Sequence, residues 1–327
     1  MTKKIAITIG DPAGIGPEII IKALNSLSDV NNYLLIGNKE IFKNTAKSIN
    51  VSLPDGIEII DIPCDISQVK TGQISIESGK LSFLALKKAC ELANNNIIRA
   101  IATAPLSKKA INMAGFNFSG QTEILQKYLA EDLGLDNKAE MLFVSEDFRI
   151  LLLTRHIKLS SVSASLNADS IIESVNSLNN SLIKDFNVSK PKLAICGLNP
   201  HAGEDGIIGN EENDTLIPII NILKKEYNIN IEGPFPADTL WVKAAKPYIT
   251  NQRQPYDAYI ACYHDQGLIP IKLLAMDSTV NTTINLPVIR TSPSHGTAYD
   301  IAGKNTADYN SMVCAVKLAN SLSFKAM

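Results

Sequence analysis

The segment ITIGDPAGIGPEII, residues 7–20, sets the reading of the fold. The apolar run Lys4–Ile9 has strand character. Gly10, Gly14 and Gly16 then allow a tight backbone path, and Pro17 suits the first position of a helix over Pro17–Leu27. A strand that turns through glycines directly into a helix opens a βα unit. The glycine spacing fits neither the dinucleotide fingerprint GxGxxG nor the phosphate loop GxxxxGK[ST]. The later SGKLS at residues 78–82 fails too, since no hydroxyl follows Lys80 and no glycine lies five residues before Gly79. A helix N-terminus can face an anion, but this spacing alone favours a tight turn without a ligand.

The same alternation continues outward. Further strands are expected at Tyr33–Ile36, Ile57–Ile62, Ile98–Ala102, Met141–Val144, Arg149–Leu153, Lys192–Cys196, Tyr256–Cys262 and Val288–Arg290. Helical patterns fall at Ile76–Ala93, Thr122–Leu133, Ala168–Phe186, Asp214–Tyr227 and Asp308–Ser321. Alternating strands and helices imply an α/β fold with a mainly parallel sheet. The closely spaced pair Met141–Val144 and Arg149–Leu153 reads as a hairpin, which adds antiparallel strands.

Composition bounds the function. The chain has 327 residues, 45% hydrophobic and 20% charged, with a net charge of −2, so no basic field for nucleic acid is present. No apolar run is long enough for a membrane span, and no signal-peptide core follows the N-terminal lysines. A cytoplasmic location is the expectation from these features. Five cysteines, an odd number without a CxxC pair, read as reduced core thiols. A nucleophilic Cys262 beside His264 is the weaker alternative.

The chain has four histidines, and each follows an expected strand: His156 after RILLLTR, His201 after KLAICGLNP, His264 after YDAYIACY and His295 after LPVIRTSPS. In open α/β sheets ligands bind outside the carboxyl ends of strands. A lone histidine is more often a surface or hydrogen-bonded core residue, but the shared placement points to convergence on a cleft. Three neutral imidazoles would hold a transition metal with a position open for substrate. Asp265, next to His264, can orient an imidazole or act as a base, and Asp238 in GPFPADTLW can do likewise or cap a helix. Lys272, Asn281 and Arg290 lie among apolar residues, where a cation either snorkels or binds an anion.

GDPAGIGPE, TAPLSK, GQTE, GLNPHAGEDG, GPFPADT, YHDQGL and RTSPSHGTAYDIAGK, in this order along nearly the whole chain, resemble the 4-hydroxythreonine-4-phosphate dehydrogenase family of vitamin B6 biosynthesis. The last also resembles the cofactor loop of isocitrate and isopropylmalate dehydrogenases. The resemblance implies a two-domain α/β/α fold of that type, with a cleft between domains. Residues 1–120 and 286–327 would form the first domain and 121–285 the second. It implies a homodimer whose active site lies near the interface, with no nucleic acid or membrane partner. It implies a divalent metal (zinc, magnesium or cobalt) on His156, His201 and His264, with ligands shared between subunits. Thr122, Lys272, Asn281 and Arg290 would bind a phosphorylated substrate, with Lys272, Asp265 or Asp238 in acid–base roles. NAD, or NADP in its place, would lie on the loop from His295 through Gly296, Thr297, Ala298 and Asp300, with Asp308 and Asp11 nearby. The implied reaction is metal-assisted oxidation of 4-phosphohydroxy-L-threonine with decarboxylation to 3-amino-2-oxopropyl phosphate.

Two positions depart from the family. Its GHTE reads Gly120-Gln121-Thr122-Glu123 here, so the substrate-contacting histidine is Gln121, which cannot become cationic. Its GLP reads NLP, with Asn285 for glycine. A family dehydrogenase for another phosphorylated hydroxy acid, such as an aldonate phosphate, is therefore a second expectation. A metal-dependent sugar-phosphate hydrolase or lyase fits the histidines but leaves HGTAYDIAGK unexplained, and the intact histidine set argues against a non-catalytic binding protein.

Overall fold

A computed structural model describes residues 3–325 of the chain; residues 1–2 and 326–327 of the expected first domain lie outside it. The chain divides into two units, Met1–Ala139 with Val280–Lys325, and Glu140–Thr279. The divisions fall later than residue 120 and earlier than residue 286, for a packing reason given below.

The first unit opens with β1 (Lys4–Thr8), α1 (Gly16–Ser26), β2 (Tyr33–Gly37), α2 (Lys39–Ser48), β3 (Glu58–Asp61), α3 (Ile76–Asn94), β4 (Ile98–Thr103), α4 (Lys108–Met113) and α5 (Gln121–Leu129). The second contains β5 (Glu140–Ser145), β6 (Phe148–Leu152), α6 (Val162–Ser165), α7 (Ala168–Lys184), β7 (Lys192–Cys196), α8 (Ile217–Lys225), β8 (Asn230–Phe235), α9 (Ala237–Ile249), β9 (Ala258–Ala261) and α10 (His264–Ala275). The chain then returns to the first unit with β10 (Val280–Ile284), β11 (Ile289–Pro293) and α11 (Asn310–Lys325).

Strand order in the first unit is β3-β2-β1-β4-β11-β10, parallel except for the β10/β11 pair. In the second it is β5-β6-β9-β7-β8, parallel except for the β5/β6 hairpin that the sequence predicts. The fold is thus α/β, mainly parallel with some antiparallel strands. β1, β2 and β4 are buried on both faces, as parallel strands covered by helices must be. Ile5, Ile7, Ile19, Leu35, Phe42, Ile101 and Met312 meet in the first core. α5 adds Ile124, Leu125 and Leu129 to that core, and β10 pairs with β11, so both belong to the first unit. Phe148, Tyr259, Leu240 and Ile271 form the second core, flanked by Trp241.

Helix ends follow local chemistry. Asn38 accepts from the amides of Glu40 and Ile41 at the start of α2, and Ser75 with Ser78 forms a reciprocal cap on α3. α9 and α10 escape sequence reading because Pro247 and Pro270 lie inside them. Edge strand β8 carries Gly233-Pro234, which an edge tolerates. Asn285, in the β10/β11 connection, has φ +63, a conformation asparagine adopts more readily than other non-glycine residues. That accounts for its replacing the family glycine. Among the described residues no helix is long and apolar enough to cross a membrane.

Candidate active site

The opening turn is satisfied from within. The amide of Asp11 donates to the Pro105 carbonyl at 2.8 Å, that of Gly14 to the Asp11 carbonyl at 3.1 Å, and that of Ile15 to the Thr297 carbonyl at 2.9 Å. The Ala13 amide donates to Asp11 Oδ1 at 2.9 Å, and Ser82 Oγ donates to the Gly10 carbonyl at 2.8 Å. Gly10 has φ +68, and a Cβ there would stand 2.3 Å from the Pro105 oxygen. At Gly14 a Cβ would stand 2.6 Å from the Thr297 oxygen. These glycines therefore serve close backbone approach. A phosphate cradle needs free amides; here they are committed to the chain.

Asp11 is 0% exposed, and its Oδ2 accepts from the Tyr299 hydroxyl at 2.6 Å. Burial pushes the Asp11 carboxyl up, against the opposing effects of Tyr299, the Ala13 amide and Ser78. With both oxygens occupied, Asp11 braces the 295–304 loop from beneath. In that loop His295 Nδ1 lies 3.0 Å from the Gly296 carbonyl, which makes Nδ1 the donor and leaves Nε2 an acceptor. Nε2 is buried with no partner. A Cβ on exposed Gly296 would meet nothing within 4 Å, and Ala298 takes φ +44. Asp300 is exposed, while one oxygen of Asp308 accepts from the Asn310 amide at 2.7 Å at the start of α11. An open surface with an orphaned acceptor fits a ligand rich in hydroxyl and amide donors, as a nicotinamide dinucleotide is.

In the second unit β6, β9 and β7 are adjacent and parallel, so His156, His264 and His201 follow neighbouring carboxyl ends. The rings of His156 and His264 lie 5.5 Å apart, tilted by 46°. They line a concavity of about 290 Å³ with Arg155, Tyr263 and Asp265. His264 Nδ1 is 2.7 Å from Asp265 Oδ1. A proton held there leaves Nε2 with its lone pair free, the usual orienting arrangement behind a metal-bound imidazole. This donor chemistry fits a divalent cation. His201 is not drawn into the pair; among the described residues no three His, Cys, Asp or Glu side chains form a metal-holding group. Its side chain is 65% exposed and begins a turn in which residues 201–205 all have positive φ. Four of these are not glycine, a conformation costing about 1–2 kcal/mol each. Asn199 and buried Glu212 brace the turn through bonds of 2.8 and 2.9 Å.

Lys272 is half-buried on α10, seven residues beyond Asp265 and so on the same helix face. Asp238 is exposed in the first turn of α9, which Pro236 precedes without a side-chain cap. Cys262 is buried and its thiol donates to the Cys196 carbonyl at 3.4 Å. Burial pushes that thiol well above its ordinary range, so it is a core residue rather than a nucleophile.

The first unit holds a cationic cradle. Arg290, in β11 between β4 and β10, is 2% exposed. Its Nε and Nη2 donate to Thr103 Oγ1 at 3.0 and 2.8 Å, and its Nη1 donates to Thr283 Oγ1 at 3.2 Å. Nη2 also donates to Gln121 Oε1 at 2.5 Å. All these partners are neutral. Burial pushes the guanidinium down to about 9, against the more distant Glu123 charge, so it remains protonated at neutral pH. Beside it, Thr122 is buried in the first turn of α5, whose N-cap Gly120 has no side chain to accept the leading amides. Asn281 Oδ1 in β10 is buried without a partner. A buried cation with no carboxylate among its hydrogen-bond partners suits an anion. Thr283 could not be singled out in the sequence, because threonine in a strand is ordinary. Thr103 and Tyr299 lie within TAPLSK and RTSPSHGTAYDIAGK, but nothing in those motifs shows which groups they meet.

Residues 15–319 match the family model described as "Pyridoxal phosphate biosynthetic protein PdxA". The chain belongs to the PdxA family. A PdxA-family relative from Synechocystis sp. (strain ATCC 27184 / PCC 6803 / Kazusa), named 4-hydroxythreonine-4-phosphate dehydrogenase, is 40% identical over 98% of this chain and 95% of its own length. A protein of Oceanobacillus iheyensis named "Putative D-threonate 4-phosphate dehydrogenase" is 38% identical over 99% of both. The crystal structure of 4-hydroxythreonine-4-phosphate dehydrogenase from Klebsiella pneumoniae superposes with a TM-score of 0.86 at 32% identity, covering 99% of this chain and 98% of that one. As a PdxA-family member the protein is an oxidoreductase of the dehydrogenase type.

Proposed function

We propose that this chain oxidises 4-phosphohydroxy-L-threonine in pyridoxal 5′-phosphate biosynthesis, with NAD as acceptor and a divalent cation as activator. NADP is the alternative acceptor. The substrate's secondary alcohol loses a hydride from carbon and a proton from oxygen. The resulting β-keto acid releases carbon dioxide and becomes 3-amino-2-oxopropyl phosphate. Near-full-length likeness to dehydrogenases of that name supports the reading, and the observation that carries it is Arg290, a buried cation with only neutral partners.

When bound, a divalent cation on His156, His201 and His264 would supply Lewis-acid polarisation, and a nicotinamide on the 295–304 loop would supply the hydride acceptor. Arg290 would bind an anionic group of the substrate, with Thr122 and Asn281 beside it. Lys272, which has no ion-pair or hydrogen-bond partner among the described residues, would take the hydroxyl proton as the neutral amine and become the ammonium. Asp265 is committed to His264 and would orient that ring. A homodimer would share the histidine set between subunits. Val242, Ile249, Ile269 and Leu273 on α9 and α10 are exposed apolar residues that suit such an interface.

The test follows NADH absorbance with a panel of phosphorylated hydroxy acids, NAD and added divalent cations. Equal yields of NADH and carbon dioxide from 4-phosphohydroxy-L-threonine, lost on chelation, are expected. Release of inorganic phosphate without NADH would instead establish a hydrolase. The Oceanobacillus relative and the neutral Gln121 favour a second substrate, D-threonate 4-phosphate. A higher kcat/KM for that compound would select it.

A further inference from the structure

We propose that Gln121 is a positioning residue that acts through Arg290, and that its lack of charge keeps the cradle's positive charge available to an anionic substrate throughout the pH range in which an imidazole would titrate. The inference deepens the reading of Arg290 as the seat of a substrate anion and rests on it.

The geometry gives Gln121 a defined part. As the first residue of α5 it spans two fixed groups: Oε1 accepts from Arg290 Nη2 at 2.5 Å, and Nε2 donates to the Ala104 carbonyl at 3.1 Å. Those two bonds also assign the amide. A flipped amide would set NH₂ against the guanidinium and a carbonyl against a carbonyl. Ala104 is itself 0% exposed and packed closely against Gly10 of the opening turn. The rigid end of the first unit thus reaches the guanidinium through one side chain. Nε2 keeps one N–H beyond its bond to Ala104, but the amide oxygen is held by Arg290, so the influence of Gln121 on the cation passes through that bond.

A guanidinium has five N–H groups. Four interactions, two with Thr103, one with Thr283 and one with Gln121, occupy Nε, Nη2 and one N–H of Nη1. One Nη1 N–H stays uncommitted, and the positive charge has no carboxylate among these partners. A glutamine oxygen can take a bond from arginine without cancelling its charge. A carboxylate at position 121 would take the same bond and neutralise the cradle. An imidazole would titrate near neutral pH and make the total charge pH-dependent. Glutamine alone of the three combines a fixed guanidinium with a constant charge, which suits a compact oxyanion such as a phosphate monoester or a carboxylate.

The test uses three variants between about pH 5.5 and 7.5, with millimolar sulfate as the probe because its charge is constant there. Sulfate should raise the melting temperature of the wild-type protein by an increment independent of pH in that range. Gln121→Glu should melt higher than wild type without sulfate, because the buried cation gains a partner, and should lose the sulfate increment. Its KM for the phosphorylated substrate should rise by about thirtyfold or more while kcat changes less than about threefold, as expected when binding of an anion is lost. Gln121→His should make the increment grow as pH falls through the imidazole range. Gln121→Met, which keeps the length but neither hydrogen bond, should retain the increment with a KM raised by about five- to tenfold, the worth of one positioning bond. A full sulfate increment in Gln121→Glu, or wild-type KM in Gln121→Met, overturns the role of Gln121 while leaving the anion seat intact. No increment in the wild-type protein overturns the anion seat itself, and the role of Gln121 with it. Should Gln121→Glu fail to fold, a pH-independent increment in Gln121→His overturns the proposal.

Discussion

In the turn after β1, the amides of Asp11, Ala13, Gly14 and Ile15 all find oxygens of the chain, and both carboxylate oxygens of Asp11 are occupied. In the cradle around Arg290, a buried cation is met only by threonine hydroxyls and an amide oxygen. Both regions are polar and buried, yet their balances are opposite. The turn has the glycines of a ligand loop, in a spacing that matches no known ligand fingerprint, and the hydrogen bonding of scaffold. The cradle draws Thr103, Gln121 and Arg290 from three separate segments, TAPLSK, GQTE and RTSPSHGTAYDIAGK, and carries a charge that no hydrogen-bond partner cancels. Glycine spacing reports backbone geometry, whereas ligand binding depends on which polar groups the rest of the fold leaves unsatisfied.

This contrast can be broken most directly at Arg290. Arg290→Lys keeps one charge but loses the planar fork that reaches Thr103, Thr283 and Gln121 together. We expect kcat/KM for the phosphorylated substrate to fall by about 10²–10³, the scale of a misplaced charge-assisted contact. Steady-state kinetics would check it, and a loss below threefold would remove the cradle from the site. The turn should fail in the other currency. Gly10→Ala forces a side chain into a φ of +68 and against the Pro105 oxygen. It should lower unfolding free energy by about 3 kcal/mol or more, read by urea denaturation, while the molecules that remain folded bind sulfate normally.

The smallest effect is a slope in pH. Burial raises the folded-state pKa of Asp11 above its model-peptide value of 3.8. Between that value and the raised one the folded state holds the extra proton, so stability falls as pH increases through the window. At higher pH the penalty is fully present. Asp11→Asn, which cannot ionise, should abolish this contribution, and the two proteins should draw apart in denaturation midpoint as pH rises from 4 toward neutrality. Parallel midpoints would show that the carboxyl is not perturbed, and that the turn is balanced in charge as well as in hydrogen bonds.

Much of the fold was legible residue by residue. Doubly buried strands such as Tyr33–Gly37 are short continuous apolar runs, and helices such as Ile76–Asn94 carry both apolar periodicity and a hydroxyl cap. Prolines hid α9 and α10, because local propensity opposes a helix that tertiary packing nevertheless supports: a Cβ on Gly267 would strike Leu152, a measure of how closely α10 lies on its sheet. The position of each histidine after a strand was legible for the same reason the strands were. Their mutual distances were not: His156 and His264 lie side by side, whereas His201 stands on a turn of positive φ braced by Asn199 and Glu212.

The sequence by itself determined the alternation of strand and helix, the hairpin at residues 140–152, the family, and the residue types available for chemistry. Those depend on patterns within a few residues or on motifs preserved in order. Tertiary structure alone decided that Asp11 turns inward to Tyr299, that Thr103 and Thr283 flank Arg290, and that Gln121 spans Arg290 and Ala104. The reason is that a hydrogen bond or an unpaired charge is a property of two groups brought together, and Arg290 and Thr103, 187 residues apart, become neighbours only when β11 pairs with β4.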